Sequence, residues 1–124
     1  EILEVTTPRP EASEVAIQRC ASAMHIDEIY AAQGTSLGRF FGPKKVSVDN
    51  PYILGSSVSG VVVDVEEKAD KFKVGDEVIV IANEKGELEA WAEYRCVAQK
   101  MVMLKSKRLS HIEAAALCMA SCVA

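Results

Sequence analysis

The stretch Leu54–Val65, "LGSSVSGVVVDV", places three serines between two glycines and then runs into valines. Glycine and serine mark a turn, and the valine run marks a strand. Continued as "GVVVDVEE", it puts Val61, Val63 and Val65 on one face and Val62, Asp64 and Glu66 on the other. That alternation predicts a half-buried strand. The serines leave a chemical question, whether so tight a turn carries a reactive or metal-binding group.

Working outward, "EVAIQRCASAM" from Glu14 to Met24 alternates apolar and polar residues behind Pro8 and Pro10, and reads as a strand. "HIDEIYAAQG" then changes to helical spacing, with Ile26, Ile29 and Tyr30 on one side and a stop at Gly34. Thr35 to Tyr52 contains Gly38, Gly42, Pro43 and Pro51 and keeps no period, so it is expected to be a long loop of functional or mobile character. Its Lys44 and Lys45 could attract a phosphate, although a solvated lysine pair is the ordinary reading.

Beyond the opening stretch, Gly75 and Asp76 form a turn before a strand from Val78 to Ala82. "AWAEYRCVA" from Ala90 to Ala98 and "MVML" from Met101 to Leu104 give two more strands. In the first of these Trp91 and Tyr94 face opposite ways and read as packing residues. Short strands at this spacing predict a barrel or sandwich.

The carboxyl end switches to a helix over 111–124. Ser110 and Glu113 have the spacing of a capping box, in which each side chain satisfies a backbone donor near the other. Ile112, Ala116, Met119 and Val123 share one face, and His111, just inside the helix start, is expected to be solvated. The chain stops while the helix is still apolar and uncapped, which predicts that it belongs to a longer chain.

Composition narrows the class. The 124 residues are 49% hydrophobic, enough for a continuous core in one compact domain. Fourteen Lys and Arg stand against 18 Asp and Glu, a net charge of −4, with the signs interleaved. This argues against nucleic-acid binding and against an anionic membrane surface. No apolar run is long enough to insert into a bilayer. Of the four cysteines, only Cys118 and Cys122 lie close in sequence, and no Cys-x-x-Cys pair occurs. Reduced, mostly buried thiols are expected, which favours an intracellular protein, cytoplasmic or mitochondrial.

Four segments together, "LGSSVSGVVVDV", "FKVGDEVIV", "AWAEY" and "LSHIEAAALCMASCVA", resemble the amino-terminal catalytic domain of the medium-chain dehydrogenases and reductases. The resemblance runs from about Pro8 to Ala124 and is nearest to the zinc-free quinone oxidoreductase branch, including its reticulon-interacting type. It implies a mainly β fold with short helices, a GroES-like partly open β-barrel. The last helix would then lead into a Rossmann domain absent from these residues.

The resemblance also sharpens the question of the serines. Zinc-dependent members hold the catalytic metal by a Cys-His-x-Asp stretch, a Gly-His-Glu turn and a cysteine of the last helix. The matching positions here are Met24 of "MHID", Ser56 of "GSS" and Met119. A thioether or neutral hydroxyl is a poor substitute for thiolate or imidazole, so a metal-free site is expected. The four-cysteine lobe that binds structural zinc is also missing, because only "IVIANEKGELEAW" separates "GDEV" from "AEY".

Zinc-free chemistry in this family resembles hydride transfer from NADPH to a quinone or an α,β-unsaturated carbonyl, with the protein orienting the partners and polarising the developing enolate. Met24, His25, Tyr30, Ser56, Met119 and Val123 are the implied pocket. The zinc-free branch has Asn-Pro-x-Asp where this chain has "MHID", and a threonine where it has Val123. His25 is the candidate acid, since imidazole titrates near neutral pH, with packing or capping of the short helix as its ordinary role. Tyr30 could equally be a core residue, and Asp27 is read as a structural acceptor at the helix start.

A Gly-x-Gly-x-x-Gly turn that would cradle a pyrophosphate is missing, the glycines being 34, 38, 42, 55, 60, 75 and 86. Cofactor binding is therefore expected mainly from a following Rossmann domain, with homodimer formation also expected of the longer protein. Two hypotheses stand: the catalytic domain of a larger NADPH-dependent reductase, or a non-catalytic binding module on the same barrel.

Overall fold

A computed structural model describes residues 4–33, 53–55, 57–80 and 89–123, with the side chains of positions 27, 31 and 119–123 outside that description. The long loop expected over 35–52 lies outside these residues. Five strands, β1 (Glu14–Ala23), β2 (Ser57–Val65), β3 (Glu77–Val80), β4 (Tyr94–Ala98) and β5 (Val102–Leu104), form one antiparallel sheet in the order β4-β1-β2-β3-β5. Helix α1 (Ile26–Gln33) follows β1, and α2 (His111–Val123) follows β5. The sheet curls into the expected GroES-like half-barrel, mainly β with few short helices.

The inner face is built almost wholly of β-branched residues, which suit a pleated, close-packed surface. Val15, Ile17, Val58, Val62, Val78, Val80, Val97 and Val102 form the core, closed by Ala69 and Ala90 and flanked by Phe72, Trp91 and Met101. Trp91 thus packs as expected, but from a turn, since β4 begins only at Tyr94. Its backbone N–H donates to the Leu54 carbonyl at 2.9 Å, which pins the turn against the start of β2. Tyr94 stays at the surface of the sheet and accepts from Gln18 Nε2 at 3.2 Å.

β2 departs from the half-buried reading. The valines that enter the core are Val58 and Val62, while Val63 is exposed. Residues 57–60 are buried on both faces, because α2 packs across the outside of β1 and β2. The outer face at that level carries Ser57 and Ser59, both fully buried. Gly60 lies between them and the core valines, where β1 passes too closely for a side chain: a Cβ there would meet the Gln18 carbonyl oxygen and come within 2.8 Å of Ile17 Cγ2.

The capping box of α2 is present. Ser110 donates from N and Oγ to Glu113 Oε2 at 2.8 and 2.9 Å, and Glu113 N donates back to Ser110 Oγ at 3.2 Å. Cys20, Cys96 and Cys118 are not joined in disulfides, but Cys20 is exposed rather than buried, while Cys118 is buried and Cys96 half-buried. Burial pushes the Cys96 thiol up to about 11, with Glu14 and Asp64 adding to it.

Gly60→Ala is expected to destabilise the chain by about 3 kcal/mol or more in urea unfolding, at the top of the range for overpacking a well-filled site. Gly75→Ala is the control: φ is +96° with nothing within 4 Å of the new methyl, so only backbone strain of about 1–2 kcal/mol is added. Equal losses at the two positions would contradict the close approach of β1 to β2.

Candidate functional site

The predicted site begins where β1 ends. Alternation carries the chain out of the sheet at Ala23, and Met24 and His25 bridge to α1. The helix opens with a reciprocal cap. His25 N donates to Glu28 Oε2 at 3.0 Å, and Glu28 N donates to the His25 carbonyl at 3.1 Å. The buried Glu28 side chain thus satisfies a donor at the helix start, while the side chain of Asp27, read as an acceptor there, lies outside the described residues. Position N3 reaches back to the cap more readily than N2, as capping-box geometry requires.

His25 turns its ring toward the opening serine stretch. Its Nε2 lies 2.6 Å from Ser57 Oγ, a short contact between a half-buried imidazole and a fully buried hydroxyl. Met24, beside it, is 67% exposed, and Ile26 and Ile29 on α1 are exposed as well. The apolar face expected on α1 is therefore not core. Tyr30 is half-buried and engaged with other groups. Ser56 lies outside the described residues, and Met119 and Val123 stand on α2 with their side chains undescribed. Of the six residues expected to line the pocket, Met24 and His25 are adjacent at the β1–α1 junction.

A second serine of the same strand makes a matching contact. Ser59 Oγ lies 2.7 Å from His111 Nδ1 and 3.4 Å from the Val78 carbonyl oxygen. His111 is therefore not the solvated residue expected from its place at the helix start. Packing of α2 onto β2 draws it in, and its Nε2 meets Glu77 Oε1 at 3.1 Å. Glu77 Oε2 in turn receives the Lys105 ammonium at 3.2 Å, and that nearly buried ammonium also donates to the Leu109 carbonyl at 2.6 Å. Hydrogen bonding from Lys105, joined by its charge and that of His111, holds Glu77 below the usual carboxylate range against a smaller upward push from burial.

No signal in the sequence marks Ser57, Ser59 or Glu77 as partners of histidines. The serine–histidine contacts span 32 and 52 residues and depend on how the helices dock on the sheet. Among the described residues no group of three or more His, Cys, Asp and Glu side chains is placed to hold a metal ion. A separate cleft of about 200 Å³ lies between the β3–β5 edge and α2, lined by Ile79, Met103, Lys105, Leu109, Leu117 and Cys118. Among the described residues expected at the site, Met24, His25 and Tyr30, none lines it.

A curled antiparallel half-barrel, with helices leaving at the end of its first strand and after its last, defines a GroES-like domain. The match to known proteins is specific: the alcohol dehydrogenase GroES-like domain model covers residues 11–107. The chain belongs to that family, within the medium-chain dehydrogenases and reductases. It is 35% identical over 85 residues to a crotonyl-CoA carboxylase/reductase of Cereibacter sphaeroides, covering 68% of this chain and 19% of that protein. It is 41% identical over 86 residues to a 2-methylene-furan-3-one reductase of Solanum lycopersicum, covering 65% and 21%. The fold superposes on an Escherichia coli quinone oxidoreductase solved with NADPH at a TM-score of 0.76, with 21% identity over 92% of this chain and 31% of that one. The chain thus spans about a fifth of the length of these two curated relatives.

Glu77→Gln tests the network around His111. Because its folded value is depressed, ionised Glu77 contributes stability that is complete above its unfolded value and is lost as pH falls through the folded value. The variant should be less stable than the wild type at neutral pH. The gap should close on acidification below the ordinary carboxylate range, as read by urea midpoints across pH. A gap independent of pH would mean that the Glu77 charge is not the stabilising element.

Proposed function

We propose that this chain is the substrate-side catalytic domain of a zinc-independent, NADPH-dependent reductase of quinones or α,β-unsaturated carbonyls. The observation that carries the reading is chemical. The crotonyl and 2-methylene-furan-3-one groups in the names of the two relatives each join a carbon–carbon double bond to a carbonyl. A quinone has the same conjugation, and a neighbour in fold is a quinone oxidoreductase.

The residues present suit the substrate side of such a reaction. The helix starts among the described residues lack a glycine-rich turn, so the pyrophosphate of a dinucleotide would be held by a following Rossmann domain. NADPH bound there would supply the hydride. Reduction of a conjugated carbonyl then places negative charge on the carbonyl oxygen, and what this chain must provide is a donor for that oxygen. His25 is such a donor, half-buried at the β1–α1 junction and fixed by Ser57. Met24 beside it offers an apolar contact for a planar acceptor.

The reading is tested with the chain extended through its natural downstream sequence. NADPH consumption is expected with a naphthoquinone and with a simple enone, and preincubation with a chelator should leave the rate unchanged. Chelator-sensitive turnover would refute the metal-free site. Absence of turnover with both acceptor classes, in a folded protein that binds NADPH, would leave the non-catalytic binding module as the better account.

A further inference from the structure

Strand β2 directs Ser57 and Ser59 to the same side, two residues apart, and each meets one histidine at 2.6 and 2.7 Å. The two pairs differ at the far side of the ring. His111 has both nitrogens engaged inside the fold, Nδ1 by Ser59 and Nε2 by Glu77. His25 has Nε2 on Ser57, while its Nδ1 has no hydrogen-bond partner among the described residues. The first arrangement completes a structural network. The second holds a half-buried imidazole by one nitrogen and leaves the other for a ligand.

We infer that Ser57 is a positioning residue that makes Nδ1 of His25 the working nitrogen toward the carbonyl oxygen of the acceptor, an inference that rests on the reductase reading. Ser57 Oγ is fully buried with His25 as its side-chain partner, so its hydrogen must go to that ring or remain unsatisfied. In the neutral ring Ser57 O–H donates to Nε2, and the ring hydrogen therefore sits on Nδ1. In the imidazolium, Nε2–H donates to Ser57 Oγ instead, and Nδ1 still carries a hydrogen. A hydroxyl is the one small group that can serve both states without moving the ring.

The step balances as follows. Hydride brings two electrons and one hydrogen to the carbon β to the carbonyl. The double-bond pair shifts toward the carbonyl, and the enolate oxygen takes the Nδ1 proton from the His25 imidazolium. The neutral ring regains that proton from solvent, and the acceptor has gained one hydride and one proton. His25 is the residue that touches the acceptor, and Ser57 acts through it.

The test pairs a tautomer measurement with kinetics in the full-length protein. With 15N-labelled histidine, assigned by loss of the signal in His25→Gln, the wild type at neutral to mildly alkaline pH should show protonated Nδ1 and unprotonated Nε2. Ser57→Ala should shift His25 toward protonated Nε2, lower kcat for an enone with little change in KM, and displace the kcat against pH profile. His25→Gln should lower kcat by about 100-fold or more, the usual scale of general acid catalysis, and Ser57→Ala by less. Ser57→Cys, which keeps a donor of similar size, should recover part of the loss. Ser59→Ala should weaken stability but leave the His25 tautomer and the pH profile unchanged.

Protonated Nε2 in the wild type would overturn the inference, with no variant needed. A tautomer change in Ser57→Ala without any change in kcat or its pH profile would overturn the working role of Nδ1 and leave the reductase reading standing. Protonated Nδ1 in a wild type that turns over neither acceptor class would support the hold by Ser57 and sink the reductase reading.

Discussion

A hydroxyl taken out of water has to find a partner, because an unmet hydrogen bond in the interior costs far more than a made one contributes. Strand β2 takes two hydroxyls out of water, at Ser57 and Ser59, and does so in the middle of the sheet. Their partners are the histidines that open the two helices, His25 just before α1 and His111 at the first position of α2. The packing of α2 across β1 and β2 and the junction that opens α1 are thereby tied to one short run of strand. Hydrophobic residues at these positions would pack α2 equally well, but they would not specify which helix end sits where.

The inner face of the same strand obeys a different rule. Val58 and Val62 share one core with valines from the other four strands, and Gly60 between them is required by the nearness of β1. The register of β1 on β2 shifts at Ala16/Ile17 and again at Arg19/Ala21, so the pairing bends on both sides of that contact. Such irregularities increase twist and help a sheet to curl. Close approach, bending and closure of the half-barrel are therefore one feature, located at the glycine that follows the serines.

What could be read in the chain before its structure was local or familiar. The capping box at Ser110 and Glu113 needs only three residues of spacing, and it forms as read. The strands announced themselves by alternation, and the resemblance of four separated segments supplied their arrangement. Reading broke down where a contact depends on how distant or turning segments come together. The bond from His25 N to Glu28 at the start of α1 was not singled out in advance, because it depends on how the turn brings that carboxylate back over the helix start. His111 looked solvated because nothing near it in the chain foretells Ser59 and Glu77. The exposure of Ile26 and Ile29 could not be anticipated either, since apolar helical spacing says that a face exists and not what covers it.

The two histidines show what decides the role of an imidazole. Each sits at a helix start, each meets a buried serine, and composition or motif gives no reason to separate them. Glu77 separates them. An ionised carboxylate can only accept, so it places a hydrogen on His111 Nε2, and Lys105 keeps that carboxylate ionised to lower pH than usual. With one nitrogen committed to a charge and the other to Ser59, His111 has nothing left to exchange with a ligand. His25 has the same serine contact and, among the described residues, no carboxylate on its ring. A serine alone orients an imidazole without committing its protonation, because a hydroxyl is content to donate or accept. The carboxylate turns one pair into scaffold, and its absence leaves the other suited to proton chemistry.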